Sequence, residues 1–120
     1  MIFKNRYKVL KIAFSNFKTD NSDFKAFCEK QKKWLDDYAL FMAVKEYFGN
    51  GEWAAWDKDI RDRKPEAIQK YSEICKDEIG FWKFCQFEFY KQWHKLKDYA
   101  NKQGIEIIGD IPLYMAYDSA

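Results

Sequence analysis

The chain has 120 residues, enough for one small domain, and its 48% hydrophobic content excludes an intrinsically disordered polypeptide. Its 21 basic and 19 acidic residues leave a formal net charge of +2, so no one-sign field favours a nucleic-acid or anionic-membrane partner. No apolar run reaches the ~18 residues that a transmembrane helix needs, and the N-terminus lacks the features of a signal peptide.

The three cysteines, Cys28, Cys75 and Cys85, are odd in number and lack metal or redox spacing. They predict reduced, packed thiols in a cytoplasmic protein. No metal site or cofactor site is expected from the sequence.

The first third of the chain is predicted to be helical. Aromatic and aliphatic residues recur at helical spacing over residues 4–17: Tyr7, Leu10, Phe14 and Phe17. After a polar turn, Ser22 is predicted to cap a second helix that ends near Lys33.

Asp36 and Asp37, directly after Trp34 and Leu35, are predicted to cap a third helix that closes at Gly49. Paired carboxylates also occur in acid/base catalysis. Neighbours at a helix start point in different directions, however, whereas a two-carboxylate mechanism needs separated, facing groups. Capping is therefore the favoured role.

Trp53 and Trp56 are three residues apart, behind a break at Gly49, Asn50 and Gly51. Exposed, the two indoles would form a platform on which sugar rings stack. Packing into the core is favoured, because aromatic residues supply most of the apolar mass of this chain.

In the second half of the chain, the sequence predicts a helix that starts at Pro65 and a break or kink between Lys76 and Gly80. The longest predicted helix follows and ends near Gln103, with Gly104 as its stop. The apolar stripe of the long helix is Phe81, Trp82, Phe84, Cys85, Phe89, Trp93, Leu96 and Ala100. On it, the single histidine, His94, has no triad-like or metal-like neighbours, which favours a surface or packing role. Gln86 and Gln92 are expected to reach polar partners across the helix interface.

The last stretch, GIEIIGDIPLYMAYDSA, begins with the β-branched run Ile105, Ile107 and Ile108. Such a run is typical of a parallel strand covered on both faces, and Pro112 would prevent its ladder from continuing. Asp110 follows at the C-terminal end of this strand, where parallel α/β architectures place their chemistry. No other part of the chain offers a convincing neighbouring strand, so we expect a piece of a larger enzyme.

The segments WLDDYALF, GEWAAWDKDIRDR, QWHKLKDYAN and above all GDIPLYMAYDSA resemble the amylomaltases, the 4-alpha-glucanotransferases of the α-amylase clan. The resemblance implies a mainly α chain with one C-terminal parallel strand, a fragment of a (β/α)₈ TIM barrel with a helical insertion. Residues 1–75 would be the insertion packed on the barrel, and residues 76–120 the long helix, the barrel strand (about 105–110) and the start of its active-site loop.

The family transfers α-1,4-glucan segments between maltodextrins by a retaining double displacement, so the resemblance implies a glucan donor and a glucan acceptor. It also implies that the nucleophile and the acid/base lie outside this chain, which then carries no catalytic residue. Asp110 is the expected substrate-binding residue, because it matches the aspartate that helps to hold the sugar in the cleaved subsite of the family.

Two other classes of protein share some of these features. A self-standing helical interaction module would explain the many aromatic residues, and a nucleic-acid binder would explain the basic ones, although these alternate with acidic residues. By resemblance we also expect that the chain needs the remainder of the barrel in order to fold.

Overall fold

The computed structural model describes residues 2–111 and 113–120, with the side chains of 5–111 and 113–120. Pro112, which was predicted to end a strand, lies outside the described residues. The described part contains five α-helices and a 3₁₀ turn at Trp53–Ala55: α1 (Ile2–Ser15), α2 (Ser22–Tyr47), α3 (Lys58–Arg61), α4 (Pro65–Ile74) and α5 (Lys76–Lys102). None of these helices has the length and apolarity required to cross a membrane.

Helix α2 is continuous for 26 residues, so the predicted end near Lys33 and the new start at Asp36 or Asp37 were wrong. The reason is long-range packing. Leu35 has 0% of its surface exposed and anchors the middle of the helix in the core. A helix that gains this burial has no cause to break at a locally favourable cap.

The helix ends follow short-range rules. The Asn21 side chain, and not that of Ser22 as predicted, caps α2 by accepting hydrogen bonds from the backbone N–H groups of Asp23 and Phe24 at 2.9 and 3.0 Å.

Gly104 ends α5, as predicted, with a φ of 73°. Its N–H bonds to the Asn101 carbonyl and the Ile105 N–H to the Ala100 carbonyl, each at 3.0 Å. This is the Schellman pattern, which glycine adopts without strain. Gly49, with a φ of 72°, ends α2 in the same way and confirms the predicted stop.

Pro65 begins α4, as predicted, and the break before the long helix lies at Cys75, one residue ahead of the predicted range. Gly80 therefore does not kink the chain but lies within α5. A Cβ atom at Gly80 would lie 3.2 Å from the ring of Phe14, so glycine here allows α1 to approach α5 closely.

The core is formed mainly where α2 packs against α5, with α4 and the 3₁₀ turn closing one side. Its buried residues are Ala39, Leu40, Ala43, Val44, Trp56, Ile60, Ala67, Tyr71, Cys75, Phe81 and Trp82. A second cluster joins Phe24, Phe84 and Phe87 under α1, where the rings of Phe17 and Phe84 are 4.8 Å apart. The sequence stripe on α5 did not include Phe87.

Residues 105–110 do not form the predicted strand, and no β-strand occurs in residues 2–111 and 113–120. The run is irregular and exposed, with Ile108 93% accessible. A β-ladder requires a partner that supplies N–H and C=O groups, and no other described segment of this chain is extended beside it. The apolar pattern was thus recognised, but its pairing partner is not among the described residues.

The radius of gyration is 16.5 Å, larger than the ~14 Å typical of a compact domain of this length. Much apolar surface is exposed on the C-terminal half of α5 and beyond: Phe89, Trp93, Leu96, Tyr99, Ile105, Ile107, Ile108, Ile111, Leu113, Tyr114 and Met115. We call the first four residues the outer face of α5.

This exposure leads to a prediction for the 120-residue chain by itself. A hydrophobic dye such as ANS is expected to bind it strongly in buffer, and thermal unfolding is expected to be broad, because large apolar patches remain uncovered. Fluorescence and circular dichroism check both. A sharp two-state transition without dye binding would contradict the prediction.

Candidate functional site

Asp110, the substrate-binding residue expected from the sequence, lies in the exposed segment that follows α5. Its Oδ1 accepts a hydrogen bond from the backbone N–H of Ile111 at 2.7 Å. The contact joins neighbouring residues and is therefore not an Asx turn, in which the side chain accepts the N–H two residues on. The carboxylate is therefore oriented by its own backbone and is open to solvent in this chain.

The far end of the same segment is tied to the helical core through Asp118. Its carboxylate pairs with Lys45 Nζ at the end of α2, and its Oδ1 accepts the backbone N–H of Trp53 at 3.1 Å. Lys45 Nζ also donates to the Asp118 carbonyl at 3.1 Å, and Trp53 Nε1 donates to the Tyr117 carbonyl at 3.1 Å. We call Lys45, Trp53 and Asp118 the terminal latch.

The latch is partly shielded from water, since only 19% of the Lys45 side chain and 27% of the Asp118 side chain are exposed. The hydrogen bond from Lys45 lowers the pKa of the Asp118 carboxyl below its ordinary value of 3.8, and the N–H of Trp53 adds to this effect. A carboxyl with a lowered pKa stabilises the folded chain above its ordinary pKa, and this contribution is lost as pH falls through the lowered value. The latch is therefore complete throughout the neutral range.

The two tryptophans do not form a platform. Trp56 is 8% exposed and stacks on Phe48 with ring centroids 5.9 Å apart, which confirms the packing interpretation for this residue. Trp53 is half-buried, with its ring 5.7 Å from that of Tyr117. A cavity of about 220 Å³ lies beside both indoles and is lined mainly by apolar side chains of α2 and the α3 region, away from Asp110.

Asp36 and Asp37 are neither caps nor a catalytic pair. Asp36 accepts a hydrogen bond from Lys83 of α5 at 2.5 Å, and Asp37 accepts one from Arg63 at 2.6 Å. The two carboxylates thus join different elements to α2. Burial raises the pKa of the Tyr38 phenol of α2, and Gln86 of α5 opposes this rise.

The remaining candidates offer little chemistry. His94 is exposed on α5, 6.0 Å from the ring of Tyr90. All three cysteines are free, and burial raises the pKa of Cys85 to about 11 and also that of Cys75, which keeps these thiols protonated and unreactive. Among the described residues, no three His, Cys, Asp or Glu side chains are grouped as a metal site would require.

Sequence reasoning missed the terminal latch. Lys45 and Asp118 are 73 positions apart, and neither belongs to a motif that predicts their pairing. The available signal was Asp118 itself, an acidic residue between Tyr117 and Ser119 at the end of an apolar segment.

The arrangement of helices α1–α5 and the segment after them can be compared with known proteins. A family model described as 4-alpha-glucanotransferase matches residues 1–120. The chain belongs to the 4-alpha-glucanotransferase family. The resemblance to the amylomaltases is thereby confirmed.

Individual 4-alpha-glucanotransferases are similar along the whole chain. The protein of Clostridium butyricum is 52% identical over 121 residues, and that of Thermus thermophilus is 38% identical over 125 residues; both alignments cover 100% of this chain and 25% of the relative. The structure of the amylomaltase from Streptococcus agalactiae in complex with acarbose superposes with a TM-score of 0.88 at 41% identity, covering 98% of this chain and 24% of the other. The chain thus spans about a quarter of the length of the relatives it matches.

Proposed function

We propose that this chain is the part of a 4-alpha-glucanotransferase that contributes one helix, one strand and one substrate-contacting loop to the active-site barrel. The observation that carries the proposal is the match of 98% of the chain to an amylomaltase whose structure contains acarbose. The reaction would move an α-1,4-linked glucan segment from a maltodextrin donor to the 4-hydroxyl of an acceptor glucan.

In this proposal the chemistry is a retaining double displacement. A carboxylate nucleophile forms a glycosyl-enzyme intermediate, and a second carboxyl group acts first as acid and then as base. By the resemblance to the amylomaltases, we assign neither role to this chain, and three of its carboxylates, those of Asp36, Asp37 and Asp118, are paired with cations.

Asp110 is the residue that we propose to contact the sugar. It is exposed, and Gly109 before it has nothing within 4 Å of a Cβ position, so a ligand or another strand can approach the backbone closely. A carboxylate here can accept hydrogen bonds from sugar hydroxyls. Such bonds increase the rate when they strengthen as the ring flattens in the transition state.

The exposed apolar surface fits this placement. In the complete enzyme, residues 105–110 would pair with neighbouring strands, and the outer face of α5 would be covered by the remainder of the barrel. The division into an insertion (1–75) and a barrel part (76–120) stays a prediction, and the core described above draws residues from both parts. The three free thiols suit the reducing cytoplasm, in which we place the protein.

The test is a segment exchange. In the Clostridium butyricum 4-alpha-glucanotransferase, the matching 121-residue stretch is replaced by this chain to give what we call the exchange enzyme. With maltotriose as substrate, the exchange enzyme is expected to release glucose and form longer maltodextrins, whereas the 120-residue chain alone is expected to form neither. Chromatography of the products measures both.

The parent enzyme and a deletion that lacks the segment serve as controls. Products formed by the isolated chain in proportion to its concentration would contradict the assignment of the catalytic groups. An exchange enzyme that folds but transfers nothing would favour the alternative, a helical interaction module without catalytic function.

A further inference from the structure

The segment that carries Asp110 is fixed at both ends in this chain. At its start, the Schellman pattern at Gly104 joins it to the end of α5. At its far end, Asp118 joins it to Lys45 of α2 and to Trp53 of the 3₁₀ turn. Between these anchors the described side chains, those of 105–111 and 113–117, are exposed, so the two ends decide the path of the segment.

The latch restrains backbone as well as side chain. Lys45 Nζ contacts both the carboxylate and the carbonyl of Asp118, while Trp53 contacts the Asp118 carboxylate with its backbone and the Tyr117 carbonyl with its indole. Four hydrogen bonds therefore converge on two consecutive residues. The Ser119 hydroxyl adds a fifth contact by donating to the Ala116 carbonyl at 2.8 Å, which tightens the same turn.

We propose that Asp118 is a positioning residue, which through Lys45 and Trp53 sets where Asp110 stands relative to the bound glucan. The proposal rests on the function proposed above and extends it to a residue that does not touch the sugar. Asp118 is eight residues after Asp110, and without the latch an extended stretch of that length can reach about 26–29 Å. With the latch closed, only conformations that satisfy both anchors remain.

The effect belongs mainly to the chemical step. A group that strengthens its contact in the transition state must be held within a fraction of an ångström, and displacement of about 1 Å can cost 100-fold in rate. Removing the terminal latch leaves the Schellman pattern at Gly104 in place, so the expected displacement of Asp110 is smaller than this. We expect loss of the latch to lower kcat more than it raises KM.

The first experiment asks whether the latch is closed in solution. Carbon-detected NMR follows the Asp118 carboxyl of the exchange enzyme during an acid titration, and its midpoint is expected below the ordinary value of 3.8. In the Lys45→Met variant of the exchange enzyme, which lacks the charged group in contact with Asp118, the midpoint is expected to rise. An ordinary midpoint in the folded exchange enzyme without this substitution would overturn the proposal at this stage.

The second experiment measures transfer kinetics in the exchange enzyme. Asp118→Asn and Lys45→Met are each expected to lower kcat by about tenfold with KM within about threefold, because position is disturbed more than binding. Lys45→Arg keeps the charge and is expected to restore most of the rate. The matched control is Asp59→Asn. Asp59 lies in α3, and its carboxylate is also paired with a lysine, with Lys64 Nζ at 2.7 Å. This substitution is expected to leave kcat unchanged.

A double substitution separates positioning from a general loss of structure. If Asp118 acts through Asp110, then Asp110→Asn combined with Asp118→Asn is no slower than Asp110→Asn alone, since there is no contact left to position. A multiplicative loss in the double variant would overturn the proposal. If Asp118→Asn fails to fold, Trp53→Phe serves instead: it keeps an aromatic ring, loses the indole N–H bond to the Tyr117 carbonyl together with one ring of the indole, and is expected to lower kcat by a smaller factor.

The outcomes for the two proposals are distinguishable. A large loss in Asp110→Asn with normal kcat in both Asp118→Asn and Lys45→Met would overturn the positioning role and leave the proposed function intact. Normal turnover in Asp110→Asn would overturn the proposed contact between Asp110 and the sugar.

Discussion

Asp110→Asn in the exchange enzyme is expected to reduce the transfer rate by about 100-fold, comparable with the loss of one well-placed transition-state group. Asparagine keeps the size of the side chain and its ability to accept the N–H of Ile111, the contact that Asp110 makes in this structure. The substitution removes the negative charge, replaces one acceptor oxygen with an NH2 donor, and so weakens the hydrogen bonds that we propose between Asp110 and sugar hydroxyls. Steady-state kinetics with maltotriose measure the loss of transfer rate, and a thermal melt shows whether the variant is as stable as the exchange enzyme.

The control for this substitution is Asp20→Asn, an exposed aspartate in the turn between α1 and α2. It makes the same chemical change outside the terminal segment and is expected to leave the rate unaltered. If Asp110→Asn turned over at a near-normal rate, Asp110 would be a turn residue that orients only its own backbone.

Leu35→Ala is expected to destabilise the 120-residue chain by about 2–5 kcal/mol, the range for removing a fully buried leucine side chain. Complete domains are stable by only about 5–15 kcal/mol, and the uncovered apolar surface places this chain at the low end. Most of its helical structure should therefore be lost at room temperature. Urea unfolding followed by circular dichroism gives the measurement.

Leu96→Ala is the matched control, because the same atoms are removed from a side chain that is 55% exposed on the outer face of α5. In the isolated chain it is expected to change stability by less than about 0.5 kcal/mol. In the exchange enzyme, where the barrel would cover this face, the same substitution should lower the temperature of inactivation. Equal effects of Leu35→Ala and Leu96→Ala in the isolated chain would show that the α2–α5 core is not formed as described.

Helix boundaries marked by backbone chemistry were predictable. Gly49, Pro65 and Gly104 each end or begin a helix because of their own conformational preferences, which act whatever the surroundings. The boundary at Asp36 and Asp37 was wrong because an N-cap is worth about 1 kcal/mol, less than the burial of a large side chain such as Leu35. Short-range signals of that size give way to tertiary packing.

The strand at 105–110 shows a different limit. Alternation and β-branching describe how a segment would be paired and covered, but both depend on neighbours. In the described residues that neighbour is absent and the segment stays irregular. Asp110 was nominated as a site residue by resemblance to a family, and its role stays a prediction. The pairing of Asp118 with Lys45 depends on contacts between distant parts of the chain that periodicity does not encode.

The packing of α2 against α5 also has a consequence for the order of events during synthesis. All the residues of this core precede position 103 in the chain, whereas the latch closes on Asp118 and therefore waits for 16 further residues after Lys102. At ribosomal rates of about 5–20 residues per second, that delay is about 1–3 s, far longer than helix formation requires. The helices can thus be assembled before the segment that carries Asp110 is anchored, so that a preformed surface is ready to receive that segment as it emerges.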